Sequence, residues 1–565
     1  MGAEQERGQG AAGAASPASV IGVIGAGTMG AGIAQLACQA GARTLLHDPI
    51  PEALTRGAQK VREGLEREAA RGRITTEDAS AASARLEVAD ELRGLAPSEL
   101  VIEAAPERIE LKADLYRGLS EIVSAECVLA TNTSSLPVTA IAASATHPER
   151  VVGMHFFNPA PRMRLLEVIA GMRSSQRALA IADATGRAMG KDVIRATDGP
   201  GFLVNRCNRP FGLEALRLLQ EQLADVPTID RIMRQEGGYP MGPFELSDLV
   251  GVDTGFDVSR SFYELSFGEP RWRPSTIQAR MVAAGLHGRK TKRGYYDYSG
   301  EGPYRPEDPP PPQAARPEVG SGLLVISGEG VLANELREAA SAAGYRVYAD
   351  EDRAPDELPA LIVECESSSE MPPDSGGPRL FALSRGSLAA LDPGGSSVGF
   401  HVLPPFEEAS LVELTRTADS SPTVVARAEH FFAVLGKHVV WVGDAPGLVL
   451  GRIVCQIINE SAFAFGEGVG SARDIDTGMV LGLNHPRGPL EWADMIGLDH
   501  VLAVLEALSR EYREDRYRPA PALRRLVLSG QLGVSTGGGF FNHARGQGSL
   551  VSIAPAAPDP PPRTA

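Results

Sequence analysis

An internal repeat with a fixed offset constrains this chain more than any other feature. MHFFNPAPRMRLLEV (154–168) aligns with FHVLPPFEEASLVEL (400–414), setting His155 against His401 and Glu167 against Glu413, each 246 positions on. DGPGFLVNR (198–206) and DAPGLVLGR (444–452) keep that offset, as do MGPFELSDLVGVD (241–253) and RGPLEWADMIGLD (487–499). A shift that stays constant over about a hundred residues marks a duplication. Upstream, VIGAGTMG aligns with VISGEGVLA, Gly25 opposite Gly328, at an offset of 303, so the second copy lacks 57 residues between its first turn and its His strand. That loss is expected to remove sheet strands and helices on which a dinucleotide would rest.

The repeat sets the domain plan. Residues 1–18, rich in Ala, Gly and Glu, read as a disordered leader. An α/β Rossmann-like dinucleotide-binding domain is expected over 19–197 and an all-α domain over 198–298. A Pro-rich linker follows at 299–320, where both helix and interior strand are penalised. A degenerate, truncated Rossmann-like domain is expected over 321–443, a second all-α domain over 444–543, and a disordered tail over 544–565. The 565 residues accommodate this many domains at about 150 residues each. A net charge of -16 argues against a general nucleic-acid binder, which needs a cationic face. No apolar run approaches the roughly 18 residues of a membrane span, and the N-terminus does not read as a signal peptide. Five widely spaced Cys without a C-x-x-C exclude a disulfide scaffold or Cys-type zinc site and fit a reducing cytoplasm.

SVIGVIGAGTMGAGIAQLACQAGARTLLHDP reads as strand, turn, helix, strand. VIGVI is the first strand, Thr28 to Ala40 the helix, Gly41 its left-handed cap and RTLLH the next strand. Gly25-Ala26-Gly27-Thr28-Met29-Gly30 occupies the turn. The first Gly permits the tight turn, the second lets backbone N–H groups approach a pyrophosphate, and the third lets helix pack on strand. Asp48 ends the second strand, where a carboxylate accepts both ribose hydroxyls and repels a 2′-phosphate, favouring NAD over NADP. The bland alternative is a Gly-rich turn without ligand.

Polar clusters then follow apolar strand-like runs, where an open α/β sheet places its ligand-contacting loops. His155 ends VVGMH and Glu167 lies within LLEVI; if these runs form a hairpin, the two side chains meet. A carboxylate on an apolar strand needs a partner, and a paired His makes a general base whose tautomer and orientation the acid fixes. Nothing here requires a metal.

With these motifs in place, residues 19–298 resemble the L-3-hydroxyacyl-CoA dehydrogenase family. The resemblance rests on GAGTMG, EAAPE, TNTSS, GMHFFNPAP with Glu167, DGPGFLVNR, GYPMGPFELSDLVGVD and the closing KTKRGYYDY. It implies NAD-dependent oxidation of an (S)-3-hydroxyacyl-CoA, with proton transfer to His155 and hydride transfer to nicotinamide. It implies Ser134 and Asn205 around the reacting oxygen, and Glu107, Lys112, Asn132 and Asn158 along the cofactor site. It also implies a CoA arm like the basic segment 60–73, which contains Arg71. Read without the resemblance, TNTSS could be a helix-capping turn, Asn205 a cap, and Glu107, Lys112 and segment 60–73 ordinary solvated helix. Two other functions stay open: a dehydrogenase of a free hydroxy acid, and a catalytically silent nucleotide-binding protein. Nothing resembling an enoyl-CoA hydratase accompanies these domains.

The second half keeps His401 and Glu413 but has Gly451 where the first has Asn205, and Ser-Arg-Gly-Ser (384–387) replaces TNTSS. It is expected to hold no second active site, although its G-x-G-x-x-A turn leaves nucleotide binding open. In the family the helical domain is the dimerisation surface. A tandem copy can supply that partner within one chain, giving an intrachain pseudo-dimer with further oligomerisation left open.

Overall fold

A computed structural model of the chain describes residues 15–310, 322–350, 357–366, 377–543 and 549–550. Most of the expected leader and tail, and the linker over 311–320, lie outside the described residues. Two compact units result, interleaved along the chain. One comprises Met1–Arg209, Asp257–Glu269 and Glu467–His485; the other comprises Pro210–Phe256, Pro270–Gly466 and Pro486–Ala565.

In the first half the helices are α1 (Thr28–Gln39), α2 (Pro51–Ala70), α3 (Thr76–Ala84), α4 (Ile109–Ile122), α5 (Val138–Ala142), α6 (Gln176–Ala188), α7 (Val204–Cys207), α8 (Arg209–Gln220), α9 (Val226–Gln235), α10 (Pro243–Val250), α11 (Val252–Leu265) and α12 (Thr276–Ala283). In the second they are α13 (Val331–Ala342), α14 (Leu388–Leu391), α15 (Pro422–Val434), α16 (Leu450–Gly466), α17 (Ala472–Leu483), α18 (Pro489–Ile496), α19 (Leu498–Tyr512) and α20 (Pro521–Leu528).

The first unit is built on an eight-stranded sheet: β1 (Val20–Ile24), β2 (Arg43–His47), β3 (Leu86–Val88), β4 (Leu100–Glu103), β5 (Val128–Thr131), β6 (Val151–Phe156), β7 (Leu165–Ala170) and β8 (Asp192–Thr197). Its order is β3-β2-β1-β4-β5-β6-β7-β8, parallel except for the antiparallel β6–β7 pair. The central strands are buried on both faces, so they read as apolar runs, with Glu103, Thr131 and His155 at or near their carboxyl ends. The strand order reverses at β1, which opens a crevice beyond the carboxyl ends of β1 and β4. Helix α1 ends at Gln39, one residue short of the expected limit, with Ala40 as cap and Gly41 at φ 90°. The basic segment 60–73 is helical only to Ala70; Arg71 caps α2 and Arg73 lies beyond it. Helix α17, from the second half, packs on β7, β8 and α7. Arg206 pairs there with Glu467 at 2.7 Å, and the Thr197 N–H donates to the Val469 carbonyl at 2.9 Å.

The second unit carries a seven-stranded sheet: β9 (Leu323–Ser327), β10 (Arg346–Tyr348), β11 (Leu361–Glu364), β12 (Arg379–Ala382), β13 (Val398–His401), β14 (Leu411–Arg416) and β15 (His438–Trp441). Its order is β10-β9-β11-β12-β13-β14-β15, again with one antiparallel pair, β13–β14. The 57-residue loss therefore takes less of the sheet than the sequence suggests. Among the described residues the counterparts of α2, α3, α4 and edge strand β3 are missing, while the centre of the sheet persists. An edge strand has one neighbour, so its removal leaves the remaining ladders intact. Helix α9, from the first half, packs on β14. Arg452 is fully buried and pairs with Glu214 at 2.7 Å and Glu221 at 2.6 Å, and the Gly443 N–H donates to the Leu223 carbonyl at 2.7 Å.

Candidate active site

The glycine turn follows β1 at the reversal point of the sheet. Gly25 sits at φ 92°, and a Cβ there would lie 2.6 Å from the Ala104 carbonyl oxygen. A Cβ on Gly30 would lie 1.7 Å from the Gly25 oxygen. The fold itself thus requires glycine at 25 and 30. Gly27 differs, because nothing lies within 4 Å of an added Cβ. It is the N-cap of α1, and no side chain caps that terminus. The missing side chain serves no packing need within the chain and leaves the positive end of α1 open, a cradle suited to a pyrophosphate. Thr28 is exposed at the start of α1, and Met29 packs partly against the core. Asp48 is anchored beside the turn: Oδ2 accepts the Ala26 N–H at 2.8 Å and Oδ1 the Ile50 N–H at 2.9 Å. These residues fit a dinucleotide.

A buried ionic chain supports the next loops. Lys112 and Glu103 have no exposed side-chain surface and pair at 2.6 Å. Glu103 also accepts the Thr131 hydroxyl at 2.8 Å and the Ala105 N–H at 2.6 Å. Lys112 lies 3.5 Å from Glu107, whose Oε1 accepts the Thr133 hydroxyl at 2.5 Å and the Ser134 and Ser135 N–H groups at 3.0 and 3.1 Å. Burial pushes the Glu107 carboxyl up, but these hydrogen bonds and the Lys112 charge outweigh it and hold the group below its ordinary range. Lys112 is thus no solvated helix residue: it ties Glu103 to the acid that shapes the TNTSS loop. Glu103 was not singled out by sequence reasoning, although an acid ending an apolar strand nine residues before a Lys was a usable signal. Asn132 Oδ1 accepts the Phe156 N–H at 2.8 Å, joining this loop to the residue after His155. Ser134 is exposed, and Asn158 is exposed at a cis Asn158–Pro159 bond.

His155 and Glu167 face each other directly in the β6–β7 register. His155 Nδ1 lies 2.6 Å from Glu167 Oε2; Glu167 is fully buried and His155 is 7% exposed. Glu167 Oε1 accepts the Leu203 and Val204 N–H groups at 3.3 and 3.1 Å. The approach to α7 runs through Gly201 at φ 69° and Phe202 at φ 52°, so the chain turns its amides onto the carboxylate. A carboxylate so held keeps its charge oriented toward Nδ1, which fixes the donor on that nitrogen and leaves Nε2 as the acceptor. Asn205 is half-buried, one residue after Val204. It does not cap α7, whose N-cap is Leu203. Arg71 lines a cavity of about 410 Å³ with Gln35, Arg67, Pro159, Pro161 and Arg162.

The second half keeps the frame and loses the pairing. His401 and Glu413 are again opposite in register, and Glu413 accepts the Val449 and Leu450 N–H groups at 2.8 Å each. Yet His401 Nδ1 has no partner among the described residues, and its Nε2 lies 3.3 Å from Nε2 of His500. A Cβ on Gly451 would sit 2.2 Å from His401 Cε1, so the imidazole fills the space opened by the exchange of Asn for Gly. Burial, then the neighbouring His500, holds His401 well below the usual imidazole range. The second glycine turn is closed by an acid: Glu366 Oε1 accepts the Glu329 and Gly330 N–H groups at 3.1 and 2.5 Å. The Gly330 amide corresponds to the one left open at Gly27, and the Glu329 amide to that of Ala26, which donates to Asp48 in the first half. A carboxylate there repels phosphate and competes for the same donors.

Among the described residues no cluster of His, Cys, Asp and Glu could hold a metal ion, and no helix is long and apolar enough to cross a membrane. Comparison with known families matches residues 20–199 to the 3-hydroxyacyl-CoA dehydrogenase NAD binding domain. The corresponding C-terminal domain matches twice, at 201–298 and 447–543. A 3-hydroxyadipyl-CoA dehydrogenase of Escherichia coli K12 is 35% identical over 508 residues, covering 90% of this chain and 97% of its own length. A probable 3-hydroxybutyryl-CoA dehydrogenase of Deinococcus radiodurans is 39% identical over 278 residues, 49% of this chain and 99% of its own. The crystal structure of a 3-hydroxybutyryl-CoA dehydrogenase from E. coli K12 superposes with a TM-score of 0.76 at 34% identity, covering 91% of this chain and 99% of that one.

Proposed function

The chain belongs to the 3-hydroxyacyl-CoA dehydrogenase family, and from that premise we propose that it oxidises (S)-3-hydroxyacyl-CoA to 3-oxoacyl-CoA with His155 as general base and Glu167 as its brace. The enzyme is an NAD-dependent oxidoreductase. The observation that carries the reading is the 2.6 Å contact between His155 Nδ1 and a carboxylate whose other oxygen is held by two amides. With Nδ1–H committed to Glu167, Nε2 takes the 3-hydroxyl proton, and the carboxylate stabilises the imidazolium that forms. NAD, when bound, accepts the C3 hydride. Ser134 and Asn205 bind the reacting oxygen, and Asn132 fixes the loop beside His155. Gly25, Ala26, Gly27, Thr28, Met29, Gly30 and Asp48 hold the dinucleotide, with Glu107, Lys112 and Asn158 shaping the site around it. Arg71, in its cavity with Arg67 and Arg162, meets phosphate charge of the CoA moiety.

The domains are read as 19–197, 198–298, 321–443 and 444–543, the second pair a duplicate of the first with one working site. The helical copies form a pseudo-dimer within the chain. Reciprocity supports this: the Arg206–Glu467 contact is answered by Arg452–Glu221, and Thr197–Val469 by Gly443–Leu223. All four correspondences keep the offset of 246, and contact i–j′ answered by j–i′ is the signature of a two-fold interface. Five buried Cys that form no disulfide support a reducing cytoplasm as the location.

The test is NADH formation from (S)-3-hydroxybutyryl-CoA, (S)-3-hydroxyadipyl-CoA and free 3-hydroxybutyrate, with NADP beside NAD and His155→Ala beside wild type. CoA esters should turn over with NAD, and His155→Ala should lose about 10²–10⁴-fold in kcat. Equal turnover of the free acid would overturn the CoA assignment, a preference for NADP the role of Asp48, and an active His155→Ala the base.

A further inference from the structure

The surroundings of the two dyads differ in what the opposite half contributes. Over β7 the neighbour is Gly482 of α17. A Cβ there would lie 2.8 Å from Leu165 Cδ2 and 3.3 Å from both Phe157 Cε1 and Val204 Cγ1. Each of these residues bears on the dyad. Leu165 is two residues before Glu167 on β7, Val204 donates its N–H to Glu167, and the Phe157 ring lies 4.6 Å from the His155 ring. At the position 246 residues earlier the other half contributes Glu236, next to the C-terminal end of α9. Its buried carboxyl is pushed up by burial and by the neighbouring Glu413, and neither Glu236 oxygen has a hydrogen-bond partner among the described residues. There His401 makes no bond to Glu413.

We propose that Gly482 is a positioning residue for the reaction: by offering no side chain it leaves Glu167 wholly to His155, so the second half serves catalysis in the first. Two buried carboxyls in contact cannot both ionise and come to share a proton. Such sharing at Glu167 would remove the full negative charge on which the imidazolium depends. Glu236 shows what a side chain at this position does to the equivalent pair: the acid turns to another carboxyl and the imidazole moves to other company. The inference rests on the dyad reading above.

The experiment places Gly482→Glu, Gly482→Ala and Gly482→Ser in the full chain, beside His155→Ala. Gly482→Glu should lower kcat by about 10²-fold or more, the low end of what a positioned base contributes. Its NADH dissociation constant, read by fluorescence, should stay within about threefold of wild type. The acid limb of its kcat–pH profile should move to lower pH, because His155 loses anionic support. Gly482→Ala, which asks the end of Leu165 to shift and the Phe157 and Val204 side chains to give by a few tenths of an ångström, should keep the wild-type limb. Wild-type kcat in Gly482→Glu, an unmoved limb, or a limb moved to higher pH overturns the proposal. If the Glu variant does not fold, Gly482→Ser decides: a limb moved to lower pH supports the proposal, and an unmoved one overturns it. An inactive His155→Ala beside a fully active Gly482→Glu sinks this inference alone, whereas an active His155→Ala sinks the dyad reading.

Discussion

The β6–β7 and β13–β14 hairpins have the same His–Glu register and the same two amides on the carboxylate, yet only the first holds a paired imidazole. The difference lies in what surrounds each pair. In the first half Asn205 follows Val204, whose amide holds Glu167, Gly482 leaves the carboxylate alone, and the α1 amides at Gly27 are open. In the second half Gly451 lets the imidazole swing aside, Glu236 joins Glu413, and Glu366 fills the glycine turn. A duplicated fold keeps its packing more readily than its chemistry. Packing is carried by many apolar contacts, whereas a general base depends on one oriented pair.

Four measurements can break or sharpen this contrast. The largest effect is expected for Glu167→Gln, which should cut kcat by about 10²–10⁴-fold, while Glu413→Gln leaves kcat within about twofold. Equal losses in both would mean that the second hairpin also works. Next is Arg452→Met, which leaves Glu214 and Glu221 without their cation. Removing one partner of a buried ion pair costs about 3–5 kcal/mol, so denaturant unfolding should shift accordingly; an unshifted midpoint would show that the helical copies do not depend on this contact.

The third concerns pH. Burial pushes Glu413 up to about 8 from its ordinary 4.5, so the folded chain holds a proton that the unfolded chain releases. The stability this gives is present in full below about 4.5 and is lost as pH rises through about 8. Glu413→Gln should therefore flatten the decline in Tm across that window by a few degrees at its alkaline end. Asp230, pushed by burial to about 7, titrates with the same sign in both proteins, so the difference between them reports the Glu413–Glu236 pair. The smallest effect is a stoichiometry. Calorimetry should find about one NADH per chain, unchanged in Glu366→Gln, since that amide still fills the turn; two equivalents in wild type would reopen the second site.

Much of the site was legible in the sequence. The 12-residue spacing of His155 and Glu167 in apolar runs gave the hairpin pairing, and the glycine turn with Asp48 gave the strand, turn, helix and strand that open the first sheet. Lys112 was not legible, because a Lys in a charged helix looks solvated until the strand carrying Glu103 is laid against it. Nor was the extent of the second sheet, because a count of missing residues does not say whether they formed an edge or a centre.

Periodicity and local spacing are chain-local, so the sequence alone determined the strand–turn–helix units, the duplication, the dyad and the use of a dinucleotide. Only the tertiary structure decided which dyad is intact. That outcome turns on contacts between residues far apart in the chain: Gly482 over β7, Glu236 beside Glu413, and His401 in the space beside Gly451. Whether a buried carboxylate serves an imidazole or another acid depends on which group folding brings within a few ångströms of it, and no pattern along one segment records that distance.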